Sequence, residues 1–529
     1  MATLERPRIE QRTPEDLVRD VQRGVVRIPQ FQRGFKWEAG DIVKLFDSIL
    51  RGFPIGNLLL WRRPAPEQTF HVGPLTVEAP EVDSALWVVD GQQRITSLVG
   101  ALSSAHVATD VRFRVHLDLD TGEFHTAGAR QQPPTTWIPV SFLLDTATLL
   151  RWMRENSGWL SDAHLALADQ AAKAIREYQI PTYVVTTIAE GPLLEIFTRM
   201  NNAGKRLTKA EVFQALHSQT AGDAPLTLAG LGRVPAEAGF GAMDDQIVLR
   251  CVLAYRGGDI FRDDFTSEFS SADDRSETFR AVGAALREVV VFLRDVAEIP
   301  HIKLLPYSNV VPVLVRYFRL HGAPEGRAAT LLRRWVWRGA VAGTHTRGQS
   351  VADMRQQIHS VDASDPVEAA SALLKRVPPT TRFTATLDKV HFNQAITKIN
   401  VLGLCSVEPR EPTTGSPVDI ARLLDHGNPL RPIFDDADSP LAATVANRVI
   451  VTAGTAGALR LDLARASEEI AESHLLDTDA QRLLTAGSSQ AFLERRAVAI
   501  TQAIEQHVDR MAEWGARDGK SVSDLLRTA

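Results

Sequence analysis

The sequence predicts an α+β chain, and three observations carry that reading. Residues 25–103 alternate short apolar runs, bounded by turn residues, with stretches of helical period. From residue 244 to about 376 the helical period dominates and few strand candidates intervene. Beyond Pro378-Pro379 helical segments return, broken by a turn-rich insertion at 409–417. A length of 529 residues suggests roughly three domains at ~150 residues each. The pattern shifts place them at 1–225, 226–376 and 377–529: mixed, mostly helical, and mixed or helical. The stretch 221–241, rich in Gly, Ala and Pro, reads as the first linker.

Each element has its own signal. Ile42, Leu45, Phe46, Ile49 and Leu50 share one helical face, and Gly52 ends that helix over 41–50. Residues 55–61 and 86–89 read as buried strands, and 95–102 as a helix. The alternation over 113–119 runs into Asp120-Thr121-Gly122, a hairpin signal, and 182–185 reads as another strand. Thr208-Lys209-Ala210-Glu211 has the form of a capping box opening a helix to about His217. Residues 280–296 and 309–320 are the clearest helices of the middle domain, and 384–404 belongs to the C-terminal helices. Ala497, Ile500, Ile504, Val508 and Met511 form one apolar stripe, expected to pack into the core.

Composition narrows the function classes. The first nineteen residues are charged and hold no apolar stretch of the secretory type, and no apolar run approaches the ~20 residues that cross a bilayer. A cytoplasmic protein with no membrane contact is expected. Cys251 and Cys405 have no partner at metal-ligand spacing, so disulfide and zinc-ribbon frameworks are unsupported. A net charge of −5 excludes a globally basic nucleic-acid binder and leaves room for a local basic cleft. No Walker loop, dinucleotide fingerprint, His-Glu-x-x-His or nucleophile elbow occurs.

The chemistry concentrates in Trp87-Val88-Val89-Asp90-Gly91-Gln92-Gln93-Arg94-Ile95-Thr96-Ser97-Leu98. A strand that stops at Asp-Gly and enters a helix presents backbone N–H groups, amides and a guanidinium at one spot, which suits an anion. Asp90 cannot bind phosphate; its natural tasks are a metal-bound water, a proton, or orienting Arg94. By itself such a joint is equally well a structural turn. A second cluster follows Ile28-Pro29: Gln32, Arg33, Lys36 and Trp37, with Trp37 or Phe35 able to stack on a base.

These segments, with Phe53-Pro54-Ile55-Gly56-Asn57 between them and Phe197 to Glu211 after them, resemble the N-terminal domain family of the GmrSD modification-dependent restriction enzymes, whose fold is ParB-like. The resemblance implies a ParB-like N-terminal domain, nucleotide binding and NTP hydrolysis at the Asp-Gly-Gln-Gln-Arg loop, and bacterial defence against phage or modified DNA. Carried over by position, Asp90, Gln93 and Arg94 are expected to act catalytically. Gly91, Gln92, Thr96, Gln32, Arg33, Trp37, Arg199 and Asn201 are expected to bind nucleotide. An NTP substrate with Mg2+ is implied, with DNA and a defence protein or a second copy as partners.

Many relatives also carry an HNH-type nuclease. Here Asp425-His426-Gly427-Asn428-Pro429, Asn447 and His474 offer only a degenerate version, and residues 430–434 lack the apolar strand expected after the first His. Three readings follow: an NTPase, a binding module without turnover, or a nucleotide-dependent endonuclease.

Overall fold

The computed structural model describes residues 8–28, 35, 37–103, 110–128, 132–186, 210, 213, 227–261, 268–345, 351–362, 365–379, 383–435 and 437–518. Gln32, Arg33, Lys36, Arg199 and Asn201 lie outside these, as does the Thr208 capping box apart from Ala210. The chain forms two units: Met1–Asp223 with Asp264–Glu268, and Ala224–Asp263 with Phe269–Ala529. The second therefore holds both the middle and C-terminal stretches.

In the first unit two elements precede those read from the sequence. Arg8–Arg12 is a strand (β1), polar because it lies at a sheet edge, and Pro14–Gln22 is a helix (α1). Thr13 caps that helix with a reciprocal box to Asp16, and Pro14 is preset for the first turn. Its buried residues, Leu17, Val18 and Val21, hide among charges. Next come β2 (Val26–Arg27), α2 (Ala39–Leu50), β3 (Leu58–Ala65), the hairpin β4 (Gln68–Val72) and β5 (Leu75–Ala79), β6 (Val82–Asp90) and α3 (Gln92–Leu102). A small sheet of β7 (Val115–Asp118), β8 (Phe124–Thr126) and β9 (Trp137–Pro139) follows, the expected hairpin turning at Gly122. Then come α4 (Val140–Leu144), α5 (Thr146–Glu155), α6 (Asp162–Glu177) and β10 (Ile180–Val185).

The main sheet runs β1-β10-β3-β6-β2. Its outer pair β1–β10 and inner pair β3–β6 are antiparallel; β10–β3 and β6–β2 are parallel. Leu58 and Leu60 of β3, with Leu86 and Val88 of β6, face one core together with Ile42, Phe46 and Ile49 of α2, Ile95, Leu98 and Val99 of α3, and Ala168 and Ile175 of α6. The alternate residues Leu59, Trp61, Trp87 and Val89 are buried as well, so both strands read as continuous apolar runs. Arg63 lies between Trp61 and Trp87, its guanidinium carbon 4.3 and 4.5 Å from the two ring centroids.

The second unit is mostly helical, so the α+β class holds with its helical share in the middle and C-terminal regions. Ala272–Val291 and Val310–His321 confirm the two clearest middle helices, the first continuing as a π turn over Phe292–Val296. The segment 384–404 is helical only from Ala395 (Ala395–Cys405), because Asn400 and Thr397 bind the extended stretch before it, at Thr386 O and His391 N. In the final helix, Ser489–Ala512, the predicted stripe is buried at Ile500, Ile504, Val508 and Met511. Gly403 admits it closely: a Cβ there would lie 2.6 Å from Ile504. Both cysteines are free, Cys251 buried and Cys405 half-buried. Among the described residues no helix is long and apolar enough to cross a membrane.

Candidate functional site

The site forms where β6 ends. Asp90 still pairs with Leu59 of β3, and a register irregularity follows at Leu59/Leu60. Gly91 then turns the chain at φ +96°, a conformation that side chains disfavour. A Cβ at Gly91 would also stand 2.4 Å from Leu58 Cδ2. The glycine is thus required twice, by backbone angle and by closeness to β3.

The helix α3 opens at Gln92, three residues before the expected start, so Gln92, Gln93 and Arg94 form its first turn rather than a loop. Gly91 offers no side-chain cap to this helix. First-turn amides have no intrahelical acceptors and carry the positive end of the helix dipole, so the end of β6 faces a donor-rich position. The earlier start also turns Thr96 inward: it is only 3% exposed, and its predicted place at a ligand surface is not what the structure displays.

Arg94 is a clamp. Its Nη1 donates to the carbonyls of Asn57 (2.6 Å) and Ile55 (3.3 Å), and Nη2 donates to Asp90 Oδ2 at 3.2 Å. The strand expected at residues 55–61 starts only at Leu58 because the carbonyls of this preceding loop are turned to the guanidinium. Gly56, at φ +90°, lets it come close: a Cβ would sit 2.6 Å from Nη1. Tyr178, just past α6, holds the same loop, its hydroxyl donating to Phe53 O (2.7 Å) and accepting from Ile55 N (3.2 Å). Asp90 keeps 44% of its side chain exposed while Arg94 keeps 18%, so the carboxylate faces solvent beside a largely engaged cation.

Gln93 and Trp37 are brought together, the Trp37 amide donating to Gln93 Oε1 at 3.1 Å. The same segment is held by Arg112, which donates to the carbonyls of Trp37 (3.2 Å) and Phe35 (3.4 Å) and lies 4.9 Å from the Phe35 ring. Hydrogen bonding from Arg112 keeps the Asp110 carboxyl below its ordinary value, against the effect of burial. Sequence reasoning missed Arg112, Tyr178 and the Asn57 carbonyl. Only an Arg-Phe pair at 112–113 and the Phe-Pro-Ile-Gly-Asn run hinted at them.

Among the described residues no group of three or more His, Cys, Asp or Glu could hold a metal ion. At Asp90 a single exposed carboxylate fits Mg2+ in the manner that cation usually adopts, one carboxylate supplemented by the oxygens of a bound phosphate.

In the second unit, Asp425 and His426 end the helix Ile420–His426. His426 is exposed and its Nδ1 hydrogen bonds Arg422 O (2.8 Å), which leaves Nε2 as the acceptor. Asp425 accepts from Nε2 of the buried His301 at 3.1 Å, whose Nδ1 accepts from Lys303 N. Contrary to the expectation for residues 430–434, Leu430–Pro432 is a strand, paired antiparallel with Arg448–Ile450. A three-residue ladder needs backbone register rather than an apolar run, and Leu430 is buried opposite Ile450, with Val449 buried beside it.

Asn447 is 2% exposed and spends its whole amide on backbone: Oδ1 accepts from Ile433 and Phe434, and Nδ2 donates to Phe434 and Ala442. It shapes the loop after the strand. His474 is buried and bonded to Arg410 O at 2.7 Å. No hydrogen bond joins His426 to Asn447 or His474 among the described residues.

Residues 14–218 match the family model for the N-terminal domain of the GmrSD restriction endonuclease. An uncharacterized protein of Methanocaldococcus jannaschii is 35% identical over 95 residues, which is 17% of this chain and 16% of that protein. The match to the family model spans α1 to beyond β10 and includes Asp90, Arg94, the Phe53 to Asn57 loop, Arg112 and Tyr178. The N-terminal region of this chain therefore resembles that restriction-endonuclease domain.

Proposed function

We propose that this chain binds and hydrolyses a nucleoside triphosphate at the β6–α3 junction, and that the reaction serves a cytoplasmic restriction system acting on foreign or modified DNA. One observation carries the reading. A solvent-facing carboxylate, Asp90, stands at the mouth of an uncapped helix N-terminus and is held by a clamped arginine, in a region resembling a restriction-endonuclease domain.

The chemistry assigns parts as follows. The amides opening α3 and the Gln92 side chain receive phosphate oxygens. Asp90 orients the attacking water and accepts its proton; it is also the residue that would hold Mg2+, which would supply charge neutralisation. Gln93 keeps Trp37 beside the loop for a base to stack upon. Arg94 fixes the Asp90 carboxylate and reaches phosphate only if its carbonyl partners release it.

Phosphate release by the full chain, with each nucleoside triphosphate and Mg2+, in the presence and absence of DNA, tests this. Asp90→Ala is expected to lose about 100-fold or more of the rate while still binding nucleotide. Arg94→Ala is expected to lose both. Equal release by wild type and both variants refutes the enzyme, and binding without release favours the regulatory module.

A second reading, DNA cleavage from the second unit, has one observation in its favour: His426 presents Nε2 as a base at the foot of a strand pair. Nicking of plasmid DNA that His426→Ala leaves unchanged removes it.

A further inference from the structure

The second unit contains a cavity of about 430 Å³ beside the Asp425 to Asn428 turn. Its polar wall consists of Lys303, Lys398, Asn393 and Asn428, its apolar wall includes Phe392, and no carboxylate lines it. The volume lies within the usual range for small-ligand sites.

The two ammonium groups arrive from separate segments and each is aimed by a backbone carbonyl. Lys398, on the helix Ala395–Cys405, donates to Leu305 O at 2.9 Å; Lys303, in the turn Ile302–Leu304, donates to Leu424 O. An ammonium has three protons, so each retains donors for a ligand. Neither lysine has a carboxylate partner among the described residues. Asp425, which lies between the lining residues Leu424 and Gly427, is bonded to His301. Burial lowers the Lys398 pKa, as expected of a cation taken partly out of water without a counter-charge.

From this geometry we infer that the cavity binds a phosphate ester, with its oxygens on Lys303, Lys398 and the two amides and its organic part against Phe392. Two point-charge cations and two amides match a tetrahedral anion, and the cavity is several times larger than a bare phosphate needs. The site is separate from the β6–α3 junction and does not rest on the function proposed there. A free nucleotide and a nucleic-acid strand present the same chemistry.

Lysine acylation of the full chain, read by peptide mass spectrometry, distinguishes them. The probes are inorganic phosphate, thymidine 5′-monophosphate and a single-stranded oligodeoxynucleotide. At a concentration about ten times its Kd, a bound probe slows labelling of Lys303 and Lys398 by about tenfold and leaves Lys375 and Lys389 unchanged. Protection by the monophosphate alone identifies a free nucleotide; protection by the oligonucleotide alone identifies a strand. Asp90→Ala retains the protection, which separates this site from the first. A Lys303→Met, Lys398→Met double variant that melts like wild type loses the bound probe in calorimetry. Absence of protection by all three probes, or unchanged binding by the double variant, overturns the assignment.

Discussion

The guanidinium of Arg94 donates to the backbone carbonyl of Asn57 at 2.6 Å while its other nitrogen holds Asp90 at 3.2 Å. One side chain thus ties the loop before β3 to the carboxylate that ends β6. The geometry of the proposed nucleotide site depends on this link, and several outcomes follow from it.

Gly56→Ala should behave as a loss of the clamp without touching Arg94. The new methyl would stand 2.6 Å from Nη1, at a φ of +90° that alanine disfavours. A cost of about 1–3 kcal/mol is expected, since strain and a displaced hydrogen bond both contribute. Melting and phosphate release check it: release should fall as in Arg94→Ala while the chain stays folded at room temperature.

Tyr178→Phe removes only a hydroxyl, yet that hydroxyl serves Phe53 O and Ile55 N together. The loop loses its second restraint at a cost of about 1 kcal/mol, roughly one net hydrogen bond. Nucleotide affinity in calorimetry should weaken, by less than in Arg94→Ala. Affinity equal to wild type would mean that Arg94 alone orders the loop.

Asn447 tests whether the C-terminal turn is structural. Asn447→Ala would orphan the amide and the carbonyl of Phe434, while Ile433 N keeps the Asn447 backbone carbonyl and Ala442 O keeps Arg448. The chain should lose about 3 kcal/mol or more in urea unfolding. Full stability with selective loss of DNA nicking would instead assign Asn447 to catalysis.

Stability should also fall on acidification. Burial pulls His345 and His474 down to about 4 from 6.5, and each ring serves a carbonyl, Trp335 O and Arg410 O. Unfolded, both rings take up protons near pH 6.5; folded, only near pH 4. Their contribution is therefore present above pH 6.5 and is lost as pH falls through that window, on the order of 2 kcal/mol per ring by about pH 5. His474→Gln, which keeps an N–H donor without a titrating ring, should flatten the melting curve's dependence on pH.

What was legible in the chain was local. Ile42 to Leu50, the Asp120 to Gly122 turn and the stripe ending at Met511 each declare themselves through spacing or turn chemistry. Asp90 and Gly91 likewise marked the junction because a strand, a turn and a helix meet within a few residues. The Thr13-Pro14-Glu15-Asp16 cap was equally local and was passed over because charges mask Leu17 and Val21. The clamp was not legible, since a carbonyl acceptor leaves no trace in residue type. Arg94 to Asn57, Arg112 to Trp37 and Tyr178 to Phe53 join residues 37, 75 and 125 positions apart, and only the fold brings such pairs together.

The most direct test of the nucleotide site is photo-crosslinking of an azido-nucleoside triphosphate to the full chain, with the modified peptides mapped by mass spectrometry. A triphosphate seated at the β6–α3 junction should crosslink within the stretch from Trp37 to Arg94, and the crosslink should be lost on Arg94→Ala and competed by unlabelled triphosphate. Crosslinks confined to the second unit, with none in that stretch, would contradict it.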